Sequence, residues 1–330
     1  MADQQQQLEQ QLVGVLAACL SADQAERAAA EAALKQHEAV PGLIVALLRV
    51  AMLERPGMDM GVRQVAAIQF KNTVKRRWGA EEGSAAAATA TTTTTDTTPN
   101  TSPLAEADRV AVRENLLEAL MAAPHAVQVQ LGDAFKAIAY ADYPERWPSL
   151  LPAIQGALAT AAAAGVGSSA DAANPASPPG ARMHGALYAL RILARKYEFR
   201  DEEDRAPLKA IIAATFPVLL ALLQQLQANP SPSPQVALHS KLVLKVFWSS
   251  TFMGVPDVLL QQDQFAGWLT CLHHALTTRV PTVRCWVSSF FGGGGVFARR
   301  PWTLAMAAQQ QLSLGQPRAD PSARRQRKEG

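Results

Sequence analysis

A chain of 330 residues with 48% hydrophobic side chains has enough apolar surface for one large core or two ordinary ones, which excludes a chain disordered throughout. Aromatics make up only 6% while Ala, Leu, Gln and Glu dominate, so the local preference is for helix and an all-α fold is expected. Residues 281–330 hold eight Arg or Lys against two acids, a formal +6 that leaves −3 for residues 1–280, and this mildly acidic body argues against a general nucleic-acid-binding surface.

In chain order, Leu8, Leu12, Val15, Leu16 and Leu20 recur at helical spacing, and Ser21-Ala-Asp-Gln24 has the form of a capping box ahead of a second, Ala-rich helix. Pro41 is expected to open an apolar helix running to Leu53. Glu54-Arg-Pro-Gly breaks it, and Val62 to Trp78 supplies its partner. Further helices are expected over Asp108–Ala122, Val127–Tyr140, Trp147–Ala162, Met183–Tyr197, Pro207–Gln227, Gln235–Thr251 and Pro256–Thr277. Helix pairs in succession, at a period of roughly 40–47 residues once inserts are removed, fit a HEAT-type solenoid, with a globular bundle as the competing arrangement.

Two segments interrupt the pattern. Residues 81–103 are Ala/Thr-rich and residues 163–180 are rich in Ala, Gly, Ser and Pro. Neither has the periodicity or apolar content to pack, so both are expected to be disordered inserts. Cys19, Cys271 and Cys285 lack CxxC spacing and suggest neither a disulfide framework nor a zinc site. The opening Met1-Ala-Asp-Gln lacks the basic and apolar regions of a signal peptide, and no run of about 18 uninterrupted apolar residues occurs, so a soluble intracellular protein is expected.

The segment Val62-Arg-Gln-Val-Ala-Ala-Ile-Gln-Phe-Lys-Asn-Thr-Val-Lys-Arg-Arg-Trp78 resembles the signature of the importin-β N-terminal domain, and Glu26 to Leu34 is similar to the first-repeat helix of that family. Asp108 to Pro124 and the turn Asp142-Tyr143-Pro144-Glu-Arg146-Trp147-Pro148 look like the following repeats of the importin-seven/importin-eight branch. Weaker similarity continues through Leu187–Glu198, Ala206–Leu222 and Gly267-Trp268, and stops near Thr282. The resemblance implies a HEAT-repeat α-solenoid without catalysis or cofactor. The implied division is an N-terminal domain over residues 1–80, further repeats over 104–281, and a non-family, disordered tail over 282–330 that reads as a truncated or mis-spliced gene product. In the family, the inner helices of the first repeats meet the small GTPase Ran in its GTP form. Nucleoporins and import cargo are further partners, and the receptors move as monomers between cytoplasm and nucleus through the nuclear pore, with no DNA binding and no membrane insertion.

On this resemblance Lys71 and Asn72, with Lys75 and Arg76 one turn on, are the candidate Ran contacts, expected on the helix face opposite Val65, Ile68 and Val74. Without the resemblance the same residues read as a solvated charged face. Arg63 and Trp78 are expected to pack between repeats. In the Asp142 turn, Pro144 and Pro148 stiffen the backbone, Trp147 packs between repeats, and Asp142 with Arg146 satisfies turn backbone groups. His273-His274 are adjacent and point about 100 degrees apart on a helix, so they cannot share a metal. Gly292–Gly295 are not followed by the Lys-Ser or Lys-Thr of a phosphate loop, and Asp201-Glu-Glu-Asp204 reads as helix N-terminal charge rather than a carboxylate pair. Arg324-Arg-Gln-Arg-Lys328 reads as translated non-coding sequence in preference to a nuclear localisation or RNA-binding patch. The alternative to a transport receptor is a generic helical-repeat scaffold for protein assembly, or a non-functional receptor fragment.

Overall fold

The computed structural model describes residues 2–38, 40–54, 58–79, 102–164, 180–229, 232–256, 259, 262–281 and 283–284. The Gly292–Gly295 run, the Arg324–Lys328 cluster, Cys285 and most of both inserts lie outside the described residues. Among the described residues there are eleven α-helices and no strand. They are α1 (Ala2–Ala18), α2 (Gln24–His37), α3 (Leu43–Met52), α4 (Met60–Arg77), α5 (Glu106–Ala122), α6 (His125–Asp142), α7 (Leu150–Ala164), α8 (Ala181–Lys196), α9 (Ala206–Gln227), α10 (Pro234–Thr251) and α11 (Gln262–Thr277). The chain divides into two compact units, residues 1–250 and 251–330.

In the first unit α1 pairs with α2, α3 with α4, α5 with α6 and α7 with α8. The first helices also pack on one another, α1 on α3, α3 on α5 and α7 on α9, while the second helices stack α4 on α6 and α6 on α8. Two layers of helices, each pair burying its apolar faces against its neighbours, make the HEAT-repeat α-solenoid that the periodicity implies. In the second unit α11 buries Phe265, Trp268, Cys271 and Leu272, while His273 and His274 both stand exposed.

Helix starts differ from the sequence expectation for identifiable reasons. Asp23, not Ser21, caps α2: its carboxylate accepts the Ala25 N–H at 2.9 Å, and the Ser21 hydroxyl accepts the Asp23 N–H instead. Pro41 does not open α3. Gly42 precedes the helix at φ +81, a left-handed conformation that favours glycine, and its N–H is accepted by the Asp108 carboxylate at 3.1 Å. Ser102 and Pro103, expected as the end of a loose insert, lie against the repeats, because Arg77 donates to the Ser102 carbonyl at 2.7 Å. The Asp201–Asp204 acids form the approach to α9, where a 3-10 turn over Glu203–Arg205 leads into Pro207 in the first helical turn.

Helix α9 is long and apolar enough to cross a membrane by length and composition. Here its large side chains, Leu208, Ile211, Ile212, Phe216, Leu219, Leu222, Leu223 and Leu226, are buried. The exposed stripe carries Lys209, Ala210, Ala213, Pro217, Ala221, Gln224 and Gln225, the face of a packed helix rather than one turned to lipid.

Helix α8 approaches the backbone of α5 closely at Gly185. A Cβ on Gly185 would stand 2.5 Å from the Met121 Cα and 2.9 Å from the Leu120 carbonyl oxygen. Both are backbone atoms, so no rotamer change relieves the clash. Gly185→Ala is expected to destabilise the first unit by about 1–3 kcal/mol, seen as a lower unfolding temperature. Gly156→Ala, in open space on α7, is expected to raise it slightly.

Candidate functional site

Helix α4 carries the candidate residues. Its start is set by Asp59, whose carboxylate accepts the Gly61 N–H at 2.9 Å, and its last turn carries Lys75, Arg76 and Arg77, which complement the negative end of the helix dipole. The buried face is Val62, Ala66, Ala67, Phe70 and Val74 with Arg63, Thr73 and Arg77. Each buried arginine closes a backbone end: Arg63 donates to the Ala51 carbonyl at 3.0 Å and lies 3.5 Å from Glu54, while Arg77 donates to the Glu38 carbonyl at 2.6 Å as well as to Ser102. Burial pushes the Arg77 guanidinium below its ordinary value, with Glu38 opposing. One helix thus ties the end of α2, the end of α3 and the approach to α5.

The opposite face differs from the expectation. Val65 and Ile68 do not lie across the helix from the basic residues; both are half-buried on the same side as Lys71, Asn72, Lys75 and Arg76, and only Val74 belongs to the core. The period was obscured because α4 buries two arginines and a threonine while leaving two β-branched residues partly exposed, so hydropathy does not mark its inner side.

Lys71 donates to the Gln130 side chain of α6 at 2.7 Å, Lys75 pairs with Asp133 of α6 at 3.6 Å, and Arg76 pairs with Glu38 at 2.5 Å. Lys71 and Lys75 thus join α4 to α6 through Gln130 and Asp133, while Arg76 reaches back to Glu38 at the end of α2. Lys75 and Asp133 are each about half exposed (52% and 51%), and such pairs are weak enough in water for a binding partner to exchange them. Among the described residues Asn72 makes no side-chain hydrogen bond and is half-buried. Neither Gln130 nor Asp133 was singled out from the sequence, since nothing local links them to positions some sixty residues earlier.

Trp78 also meets the Asp142 turn. The Asp142 carboxylate, 1% exposed, accepts the Trp78 indole N–H at 3.2 Å and the Arg113 guanidinium at 2.8 Å. Arg113 also pairs with Glu106, and Arg109 lies 5.9 Å over the Trp78 ring. Burial works against the Arg113 charge, but the two carboxylates outweigh it and hold the guanidinium above its ordinary value. It is the Asp142 carbonyl, not its side chain, that satisfies the turn, accepting the Arg146 N–H at 2.7 Å and the Trp147 N–H at 3.1 Å. The carboxylate is drawn away because two buried donors require it. Arg146 is exposed, as is Pro148, and Pro144 is half-buried. Trp147 is buried edge-on against Phe135 at 5.6 Å, and the Tyr143 carbonyl accepts from Lys196.

Among the described residues no group of three or more His, Cys, Asp or Glu could hold a metal ion.

The family model of the importin-beta N-terminal domain matches residues 30–122, which takes in α4 and reaches the end of α5. The chain is 32% identical over 265 residues, 80% of its length, to the importin beta-like SAD2 homolog of Arabidopsis thaliana, and 26% identical over 257 residues, 77% of its length, to importin-8 of Mus musculus. It spans about a fifth (22%) of the length of each of these relatives. Among solved structures, the exportin Cse1 in its cargo-free, cytoplasmic state shares the fold with a TM-score of 0.65 at 18% identity, over 86% of this chain and 29% of that one. With the N-terminal domain matched across α4 and stacked helix pairs continuing beyond it, this chain belongs to the importin-β family.

Proposed function

We propose that this chain is the segment of a nuclear transport receptor that reads the nucleotide state of Ran, binding Ran-GTP through the outward face of α4 at Lys71, Asn72, Lys75 and Arg76, and so takes part in protein import into the nucleus. The observation that carries this reading is the position of those four residues on one side of α4, two of them tied to α6, inside the matched N-terminal domain. The chemistry suits a partner that presents carboxylates and backbone carbonyls. Lys71 is held by a neutral amide that competes weakly for its charge, and Val65 and Ile68 offer apolar contact between the cations. In a receptor that continues beyond this segment, cargo release requires Ran-GTP to favour one curvature of the repeat array by a few kcal/mol over the cargo-bound one. Nucleoporins and cargo are then partners of the whole receptor, which works as a non-enzymatic carrier shuttling between cytoplasm and nucleus.

Calorimetry of the 330-residue chain with Ran loaded with a GTP analogue or with GDP tests the reading. Binding selective for the GTP form, and lost in Lys71→Glu/Asn72→Ala, is the expected result. Equal or absent binding to both forms by a folded chain would leave a repeat scaffold.

A further inference from the structure

A second charged surface lies away from α4. Helices α8 and α10 run side by side, fastened at one end by the His184 and His239 rings, 6.0 Å apart, and at the other by the Ser249 hydroxyl donating to the Glu198 carboxylate at 3.0 Å. Between these points Arg191 and Arg195 stand one turn apart on α8, and Lys241 and Lys245 one turn apart on α10. All four are half-buried or exposed. Among the described residues no carboxylate lies within ion-pair distance of Arg191, Lys241 or Lys245, and Arg195 reaches Glu198 only at 4.0 Å. Tyr140 of α6 and Tyr188 of α8 lie within electrostatic reach of Arg191 and border the cluster.

Burial and the like charges of Arg191, Lys241 and Arg195 together push Lys245 below its ordinary value. Four cations gathered on a body whose first 280 residues carry a formal −3 raise the energy of the free protein. An arrangement that repels itself is relieved by a bound anion.

We propose that the Arg191–Arg195–Lys241–Lys245 stripe is a docking surface for an acidic peptide segment of a partner protein, separate from the α4 face and independent of the Ran reading. Its size favours a peptide over nucleic acid. One helical turn along each of two packed helices gives a patch roughly 6 by 10 Å, room for a few carboxylates on successive side chains. A nucleic-acid backbone gains affinity from a longer row of neutralised phosphates, and here the Glu198 carboxylate stands at the end of the row.

The test is fluorescence anisotropy of the whole chain with fluorescein-labelled decaglutamate and with a labelled oligouridylate, at low and at raised salt. Decaglutamate is expected to bind more tightly than oligouridylate and to weaken with salt. Lys241→Glu/Lys245→Glu should lower its affinity by about tenfold or more, whereas Lys71→Glu leaves it nearly unchanged. Lys245→Met keeps the aliphatic stem and removes one charge, so it should weaken decaglutamate binding while raising the unfolding temperature, which keeps the test readable if the double reversal fails to fold. Decaglutamate binding that neither α10 variant alters, tighter binding of oligouridylate, or no binding of either probe would overturn the proposal.

Discussion

Asp142→Ala is expected to cost about 3–5 kcal/mol, since removing one member of a buried ion pair leaves the other charge uncompensated. Arg113, 9% exposed at its side chain, would keep only Glu106, and the Trp78 indole N–H would lose its acceptor. The Asp142 carbonyl would remain in place, so the turn itself should survive. Because each repeat contacts mainly its neighbours, the damage should be local. Hydrogen exchange is expected to quicken in α4, α5 and α6 and much less in α9 and α10, with the unfolding temperature falling by about 6–10 °C. Arg113→Met/Asp142→Leu, which removes both charges, should recover part of the loss. Equal exchange across all helices, or no loss in the single variant, would show that the network does not hold these helices together.

This network also marks the limit of what the sequence discloses. The helices were legible because their apolar period is regular: α3 to α10 fall within a few residues of the expected spans, α11 begins at Gln262 rather than Pro256, and Leu12, Leu16, Phe135 and Trp268 are buried where the pattern puts apolar side chains. The Asp142 turn was recognisable as a motif, but the destination of its carboxylate was not. Arg113 lies 29 residues away and Trp78 64 residues away, and nothing in either local pattern announces a shared partner. For the same reason the inner side of α4 could not be read, since Arg63 and Arg77 count as polar in any periodicity yet are buried through backbone carbonyls of other elements. Hydropathy reports transfer of a side chain to an apolar medium; it is silent on a carbonyl waiting at the far end. The basic stripe on α8 and α10 was missed because each helix contributes only two charges, unremarkable until the helices lie side by side.

Phe70 and Lys71 are chain neighbours about 100 degrees apart on α4, one buried and one half-buried, and their substitutions should separate fold from binding. Phe70 is fully buried and α4 packs on both α3 and α6, so Phe70→Ala is expected to destabilise by about 3–5 kcal/mol through lost burial and the cavity left behind. Lys71→Glu removes only a contact to a neutral amide, and by placing a carboxylate near Lys75 it should leave the unfolding temperature almost unchanged. Ran-GTP binding should then respond in the reverse order of severity. At a temperature where Phe70→Ala is still folded, its side chain being absent from the outer face, affinity is expected to stay close to that of the parent chain. Lys71→Glu should weaken binding at every temperature, since a like charge now meets the partner's acidic groups. Thermal unfolding followed by circular dichroism, with calorimetric titration of Ran-GTP below both transitions, distinguishes the two. If Phe70→Ala abolishes binding while folded, and Lys71→Glu does not weaken it, the outward face of α4 is not where the GTPase docks.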